Sequence, residues 1–366
     1  MAVVPNGASV ESAPLSAPKS HDQTHTLSVV ILIVALFSAL GAIWMILGFV
    51  MNKSLRTFRH QLILLFLSIS GLAVSDFFMA INFLSSAAVN LSGQDIGSKA
   101  CKTFCSFNGF MIQTFVDQTD YWVLSIAACT FIMVDDKKAI SQWIQNNRAV
   151  VWTIPWVLSL LWATLGLCLA GYGDIGAWCW FTSDKTRLLV NFLPRWIIIG
   201  LMLLLYLRLH FIIHRAHDNF VSFNDEEEYG AGSGSYSASK SGGTWSQQPV
   251  HLSKLSEGSS QERIVAPSSP PAPVPRPKVR KSRGAADLRR LSYQMMLYPL
   301  VYMLIWALPT AIRIYQAVSG HSASFPIATV DKSCIVIQGL CDALVYGFNE
   351  KTWRGWKEIF TRKKGV

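Results

Sequence analysis

CSFNGFMIQTFVDQTDYWVLSIAACTFIMV, residues Cys105–Val134, contains 30 residues, of which only Asp117 and Asp120 are charged. At about 1.5 Å of rise per residue, a helix of this length spans roughly 45 Å, enough to cross a bilayer with margin. Gln113, Asp117 and Asp120 fall at i, i+4 and i+7 and therefore share one face. Carboxylates at that depth are costly in lipid, so this face is expected to look into a helix bundle or a wet cavity. Cys105 marks one end, and Asp135, Asp136, Lys137 and Lys138 cluster at the other. The stretch reads as a central membrane helix.

The rest of the chain agrees. Apolar residues make up 51% and charged residues 15%, with a mean hydropathy of +0.33, whereas soluble domains are about a quarter charged. Seven apolar stretches of spanning length follow one another: Leu27–Met51, Gln61–Ala88, Cys105–Val134, Ala149–Ala170, Leu188–Ile213, Leu291–Gln316 and Ile327–Phe348. The expected architecture is an all-α membrane protein, a seven-transmembrane helix bundle. Lys53, Arg56 and Arg59, then Lys137, Lys138 and Arg148, then Lys351, Arg354, Lys357, Arg362, Lys363 and Lys364 crowd one side. The other side holds Lys19, Lys99, Lys102, Lys185, Arg187 and Lys332. The positive-inside rule then predicts the N-terminus outside and the C-terminus in the cytoplasm, with the bilayer of the plasma membrane between. The net charge of +10 follows from this bias and a basic loop. Nucleic acid is not expected as a partner, because no basic domain with interleaved aromatics exists.

Taken in order, residues 1–26 are rich in Ser, Ala and Pro and lack a basic leader region, which predicts an extracellular disordered tail without a cleavable signal peptide. Spans one to five occupy residues 27–216. Asn90-Leu91-Ser92 is a glycosylation sequon on the predicted outer side, and Asn52-Lys53-Ser54 is one on the inner side that should stay unmodified. Asp76 sits mid-span in SGLAVSDFF and reads as functional, with hydrogen bonding to nearby serines as the plainer alternative. Of seven cysteines, Cys129, Cys168 and Cys341 lie within apolar spans as small hydrophobes. Cys101, Cys105 and Cys179 lie on the oxidising side. A bridge from the top of the third span to Trp178-Cys179-Trp180 would fix that loop over the bundle; Cys105 is preferred to Cys101, although spacing alone leaves both open.

The fifth span carries Asn191, Pro194 and Arg195 in its outer third, and Pro194 is expected to kink it and free a carbonyl. Arg195, and Arg313 at the outer end of the sixth span, either snorkel to the interface or face inward to Asp117 or a ligand. Residues 217–290 shift from an acidic patch to Gly/Ser-rich sequence and then SSPPAPVPRPKVRKSR, the composition of a disordered cytoplasmic loop. Ser292, after Arg289 and Arg290, resembles a site for a basophilic kinase, against the plainer reading of a serine starting a helix. Spans six and seven occupy residues 291–349. Pro299 and Pro309 in one span predict an outward-bending, movable helix. Within residues 350–366, Trp353, Trp356, Ile359 and Phe360 recur at helical spacing among basic residues, an amphipathic helix lying on the inner leaflet.

Three strings narrow the family: Cys105-Ser106-Phe107-Asn108-Gly109-Phe110, Tyr298-Pro299-Leu300 with Trp306, and Val345-Tyr346-Gly347-Phe348-Asn349-Glu350. With seven spans and a trailing amphipathic helix, the chain resembles the G-protein-coupled receptors, and within them the cyclic-AMP-receptor-like family of slime moulds and fungi. The resemblance implies an outer Cys105–Cys179 disulfide. It also implies a switch in which Asp342 and Tyr346, spaced D-x-x-x-Y, stand where rhodopsin-like receptors have N-P-x-x-Y, facing Asp76. Asp76 and Asp342 would then share a proton or a sodium ion. The usual Asp-Arg-Tyr at the inner end of the third span is missing, so coupling must use other groups.

The expected function is a receptor for an extracellular small molecule (a nutrient, a cyclic nucleotide or a lipid-like compound) that activates a heterotrimeric G protein without a cofactor or bound metal. Its ligand would lie among Gln113, Asp117, Asp120, Arg195, Trp196, Trp306 and Arg313. Its switch would comprise Asp76, Pro299, Pro309, Asp342 and Tyr346, and its Gα contact Lys137, Lys138, Arg208 and Arg290. Pairing of two copies into a homodimer stays open. A retinal protein would need a lysine mid-way along the seventh span, and Lys332 stands at its start. A proton-coupled small-solute transporter is the alternative, but no internal repeat relates the two halves. An enzyme is not expected, since no H-E-x-x-H, G-x-S-x-G or phosphate loop is present.

Overall fold

In the computed structural model, the residues described are 18–51, 63–135, 137–230 and 295–347. The bundle belongs to the unit made of Met1–His214 and Gly284–Val366. It contains α1 (His21–Met51), α2 (Ile63–Leu91), α3 (Lys102–Val134), a short loop helix α4 (Lys138–Asn146) and α5 (Arg148–Leu169). A hairpin follows, β1 (Tyr172–Asp174) and β2 (Cys179–Phe181). Next come α6 (Asp184–Arg187), a wide turn over Leu188–Phe192, α7 (Leu193–Gly230), α8 (Leu297–Ser319), α9 (Phe325–Val336) and α10 (Gln338–Gly347). The second unit, Arg215–Arg283, is described only as helical backbone through Gly230.

By length and composition alone, five helical stretches can cross a membrane: α1, most of α2, α5, the run Asp184–Ile212 and α8. The other two of the seven passages are α3, which carries the two aspartates, and the pair α9–α10, interrupted at Ile337. Every residue of α3 from Ile112 to Asp120 is buried. Nine successive buried residues cover all sides of a helix, so α3 is enclosed by its neighbours, as the opening stretch predicts. Chain outside the membrane-facing core is also engaged. Ile175 to Phe181 are all buried, with Trp178 edge-on to Phe83 at 4.8 Å between ring centroids.

Close helix approaches occur at glycines. A Cβ on Gly339 of α10 would lie 2.7 Å from Ser38 Oγ and 3.1 Å from Asp76 Cβ, and one on Gly41 would lie 3.0 Å from Ala343 Cβ. These contacts draw α1, α2 and α10 together and set the neighbourhood of Asp76 and Asp342.

The fifth span departs from a simple proline kink. Leu193 N–H reaches back five residues to Leu188 O, so Leu188–Phe192 is a π turn that leads directly into Pro194. Such a turn holds one extra residue, and here Val190, Asn191 and Phe192 are all buried in succession. In the sixth span, Pro299 lies in the first turn of α8 as described, where its missing N–H breaks no intrahelical bond; Pro309 is the proline of the helix interior. The tail to residue 17, the loop 231–294 with Arg290 and Ser292, and the amphipathic segment 350–366 lie outside the described residues.

Candidate functional site

The hairpin end of the bundle is tied to α3 by the Cys105–Cys179 disulfide, with Cα atoms 5.3 Å apart. Cys101 is a free thiol. Gly176, at φ +111°, closes the hairpin turn, where Ile175 N–H donates to Trp178 O and Gly176 N–H to Asp174 Oδ1. Burial pushes the Asp174 carboxyl above its ordinary value, with the Gly176 N–H opposing. The hairpin carries Trp180 down onto α3, where its Nε1 donates to Gln113 Oε1 at 2.6 Å. Gln113 Nε2 in turn donates to Asp117 Oδ2 at 2.7 Å.

One turn below, Asp120 meets Arg195. The Nη2 and Nε of Arg195 lie 2.9 and 3.0 Å from Asp120 Oδ2, and both residues are fully buried. Tyr302 OH of α8 donates to Asp120 Oδ1 at 2.6 Å and accepts from Arg195 Nε at 3.2 Å. The guanidinium lies over Trp306, its carbon 3.3 Å from the ring centroid, and Trp306 Nε1 donates to Gln338 Oε1 of α10 at 3.3 Å. A single chain of contacts therefore joins α3, α7, α8 and α10. Arg195 faces inward rather than snorkelling, and its partner is Asp120 rather than Asp117. The cluster sets two carboxylates against one guanidinium.

Of the expected ligand set, Gln113, Asp117, Asp120, Arg195 and Trp306 are thus brought together beneath the hairpin. Trp196 is only half-buried and donates from its Nε1 to Thr310 Oγ1 across α7 and α8 at 3.4 Å. Arg313 belongs to a different group. Its Nη1 donates to Gln316 Oε1 at 2.7 Å and its Nη2 lies 3.5 Å from Asp331 Oδ2. The ring of Phe192 stands between the groups, 5.9 Å from the Arg195 guanidinium carbon and 5.6 Å from that of Arg313.

Asp76 and Asp342 face each other, fully buried, with Gln338 of α10 beside Asp342. Ser38 Oγ and Tyr298 OH have no hydrogen-bond partner among the described residues. Tyr346 packs edge-on to Trp44. At the opposite end, Arg208 is exposed and Lys137 is paired with Asp135 at 3.2 Å; the Lys138 side chain and Arg290 lie outside the described residues. Asn90 is committed within the fold: its Nδ2 donates to Gly176 O at 2.9 Å and its Oδ1 accepts from Ile96 N–H at 3.3 Å.

Sequence reasoning missed Tyr302, Trp180, Gln338 and Asp331, and it counted Arg187 and Lys332 only as charges of the outer side. A tyrosine one turn from Trp306, and an Asp-Lys pair opening an apolar span, were the signals available.

Comparison with known proteins bears on the family and the fold. Residues 21–220 match the family described as "G protein-coupled glucose receptor regulating Gpa2", and residues 282–355 match its C-terminal counterpart. An ascaroside receptor, GPR2, of Arthrobotrys oligospora is 39% identical over 95% of this chain and 94% of its own length. Cyclic AMP receptor-like protein A of Dictyostelium discoideum is 24% identical over 56% of this chain and 50% of its own. Squid rhodopsin superposes with a TM-score of 0.61 at 14% identity, covering 95% of this chain and 88% of that one, which shows the fold.

Proposed function

This chain belongs to the family of G protein-coupled glucose receptors regulating Gpa2, and we propose that it senses an extracellular small molecule at the plasma membrane with its hairpin end outside. The Lys and Arg bias supports that orientation. The observation that carries the reading is the buried link Asp120–Arg195–Tyr302–Trp306, which holds α3, α7 and α8 together beneath the hairpin. A ligand favours signalling only if it binds better to a state in which this link is rearranged. In that state α8 moves outward about Pro309, and the opposite end admits a Gα subunit against Lys137, Lys138, Arg208 and Arg290. Asp76, Asp342 and Tyr346 complete the switch between α2 and α10. The ligand is drawn from the nutrient, cyclic-nucleotide and lipid-like classes, to which the name of the Arthrobotrys relative adds the ascarosides.

The test is guanine-nucleotide exchange on a panel of Gα subunits by purified receptor in lipid, with sugars, cyclic nucleotides, amino acids, lipids and ascarosides added in turn. Ligand-dependent exchange that falls in Arg208→Ala is the expected result. Exchange on no Gα, with proton-coupled uptake of a solute by the same vesicles, would hand the chain to the transporter reading.

A further inference from the structure

A cavity of about 320 Å³ opens at the hairpin end, between the start of α1 and the connection from α8 to α9. That is roughly ten water volumes, the size at which small-molecule sites begin. Its two deeply buried lining residues are Leu27 of α1 and Lys332 of α9, each 2% exposed. Phe325 and Ala328 of α9 add an apolar wall. Pro18 also lines the cavity, and it fills the space beside Gly176 that a side chain there would need. The first span, the seventh span and the hairpin turn therefore meet around one space.

Charge at this end is matched. Arg187 is paired with Asp184 and Arg313 with Asp331, and Asp174 of the hairpin is an opposite charge within reach of Lys332. What Lys332 offers is donors. Its ammonium carries three N–H groups, and the hydrogen bond it makes is to Ile175 O at 2.9 Å. Gln23 Oε1 accepts from Lys19 N–H at 2.9 Å, which leaves the Gln23 amide N–H groups for the cavity. Thr329 Oγ1 donates to Phe325 O at 2.9 Å and keeps its lone pairs, and Ser322 and Ser324 add hydroxyls. Among the described residues the charged members of the lining are Lys19 and Lys332, and no carboxylate belongs to it.

We propose that this cavity is a binding site for a small uncharged ligand with several hydroxyl or carbonyl oxygens, which accept from Lys332 and Gln23 while its apolar face lies on Phe325. An amine would meet two lysines and no carboxylate. An acid would meet a lysine whose charge is already matched, so its own desolvation would go uncompensated. This inference rests on reading the chain as an extracellular receptor. It places ligand recognition between the first and seventh spans, apart from the Asp120–Arg195 link. A ligand held by Lys332 also acts on the bond to Ile175 O, the tie between α9 and the hairpin.

The test uses full-length receptor in nanodiscs of phosphatidylcholine, with the thermal unfolding midpoint read against probe concentration. The probes are the neutral polyols glucose, mannitol and inositol, and the charged counterparts glucosamine and glucuronate. At least one neutral polyol is expected to stabilise saturably, at a half-saturating concentration roughly tenfold below those of both charged probes. Lys332→Met, which keeps the stem and removes the donors, should raise that concentration roughly tenfold. Ala328→Phe fills the cavity without altering Lys332 and should abolish the effect, so the site remains testable if Lys332→Met fails to fold. Saturable stabilisation by no neutral polyol, equal binding of neutral and charged probes, or an effect that survives Ala328→Phe would overturn the proposal. A non-saturating rise shared by the wild type and both variants marks exclusion of sugar from the surface and overturns it as well. Ligand-driven Gα exchange that is unchanged in Ala328→Phe removes this site alone; polyol binding without exchange on any Gα removes the receptor reading alone.

Discussion

Replacing Tyr302 by Phe tests whether the central ionic link holds the receptor closed. The substitution removes one oxygen and keeps a buried ring of nearly the same shape. What is lost is the donation from Tyr302 OH to Asp120 Oδ1 at 2.6 Å and the contact of that oxygen with Arg195 Nε at 3.2 Å. A hydrogen bond to a charged group contributes about 1.5–3 kcal/mol. Asp120 keeps Arg195 Nη2 at 2.9 Å and Nε at 3.0 Å, so no carboxylate is stranded and the lower figure, about 1.5 kcal/mol, applies.

If the bond exists only in the closed state, its loss moves the closed-to-open equilibrium about tenfold toward open. Ligand-free nucleotide exchange on Gα, measured with purified receptor in lipid, should then rise by about the same factor while the open fraction is small. A basal rate equal to or below that of the wild type, at equal folded receptor, would show that α8 does not break this bond on opening. By contrast, Asp120→Asn leaves Arg195 buried without a carboxylate partner and is expected to cost about 3–5 kcal/mol, seen as poor folding rather than activation.

Other expectations follow from the same geometry. Cys105→Ser or Cys179→Ser opens a covalent loop of 74 residues and should cost about 4 kcal/mol of loop-closure entropy, read as a lower unfolding midpoint. Gly339→Ala places a methyl group 2.7 Å from Ser38 Oγ and should destabilise by about 1–3 kcal/mol through overpacking of α1 against α10. Endoglycosidase should lower the mass of the wild type and leave that of Asn90→Gln unchanged, the result expected of a used sequon on the outer side. The raised Asp174 carboxyl binds its proton more tightly folded than unfolded. Its contribution is therefore full at pH below the ordinary 3.8 and is lost as pH rises through the folded value. Asp174→Asn should flatten that part of the pH–stability curve.

The bundle was legible because spanning length and apolar content are properties of single stretches. Residues 105–134 announced an enclosed helix through two carboxylates that lipid would not tolerate. The inward face of α3 was equally legible, since i, i+4 and i+7 fix a face without any partner. What escaped were features decided by partners far apart in the chain. The sequence around Arg195 names no mate, and only the fold selects Asp120, 75 residues away. The π turn left no signal apart from Pro194. The hairpin was hidden because Tyr172–Asp174 and Cys179–Phe181 are each three residues long, too short for alternation to register. Asn90 carries a signal of both kinds: a sequon legible locally, and tertiary hydrogen bonds to Gly176 and Ile96 that were not.

One ring lies between two charge clusters of different balance. Asp117 and Asp120 outnumber Arg195 on one side of Phe192, whereas on the other Arg187 pairs with Asp184 and Arg313 with Asp331. Phe192 belongs to the π turn, the one place where the fifth span holds an extra residue. Such π turns recur at functional sites in helices. A displacement of Arg313 would act on the ring that also flanks Arg195, and through Arg195 on Asp120, Tyr302 and Trp306. Contacts at the hairpin end and the contacts that restrain α8 therefore meet at a single residue, a short physical route between the two.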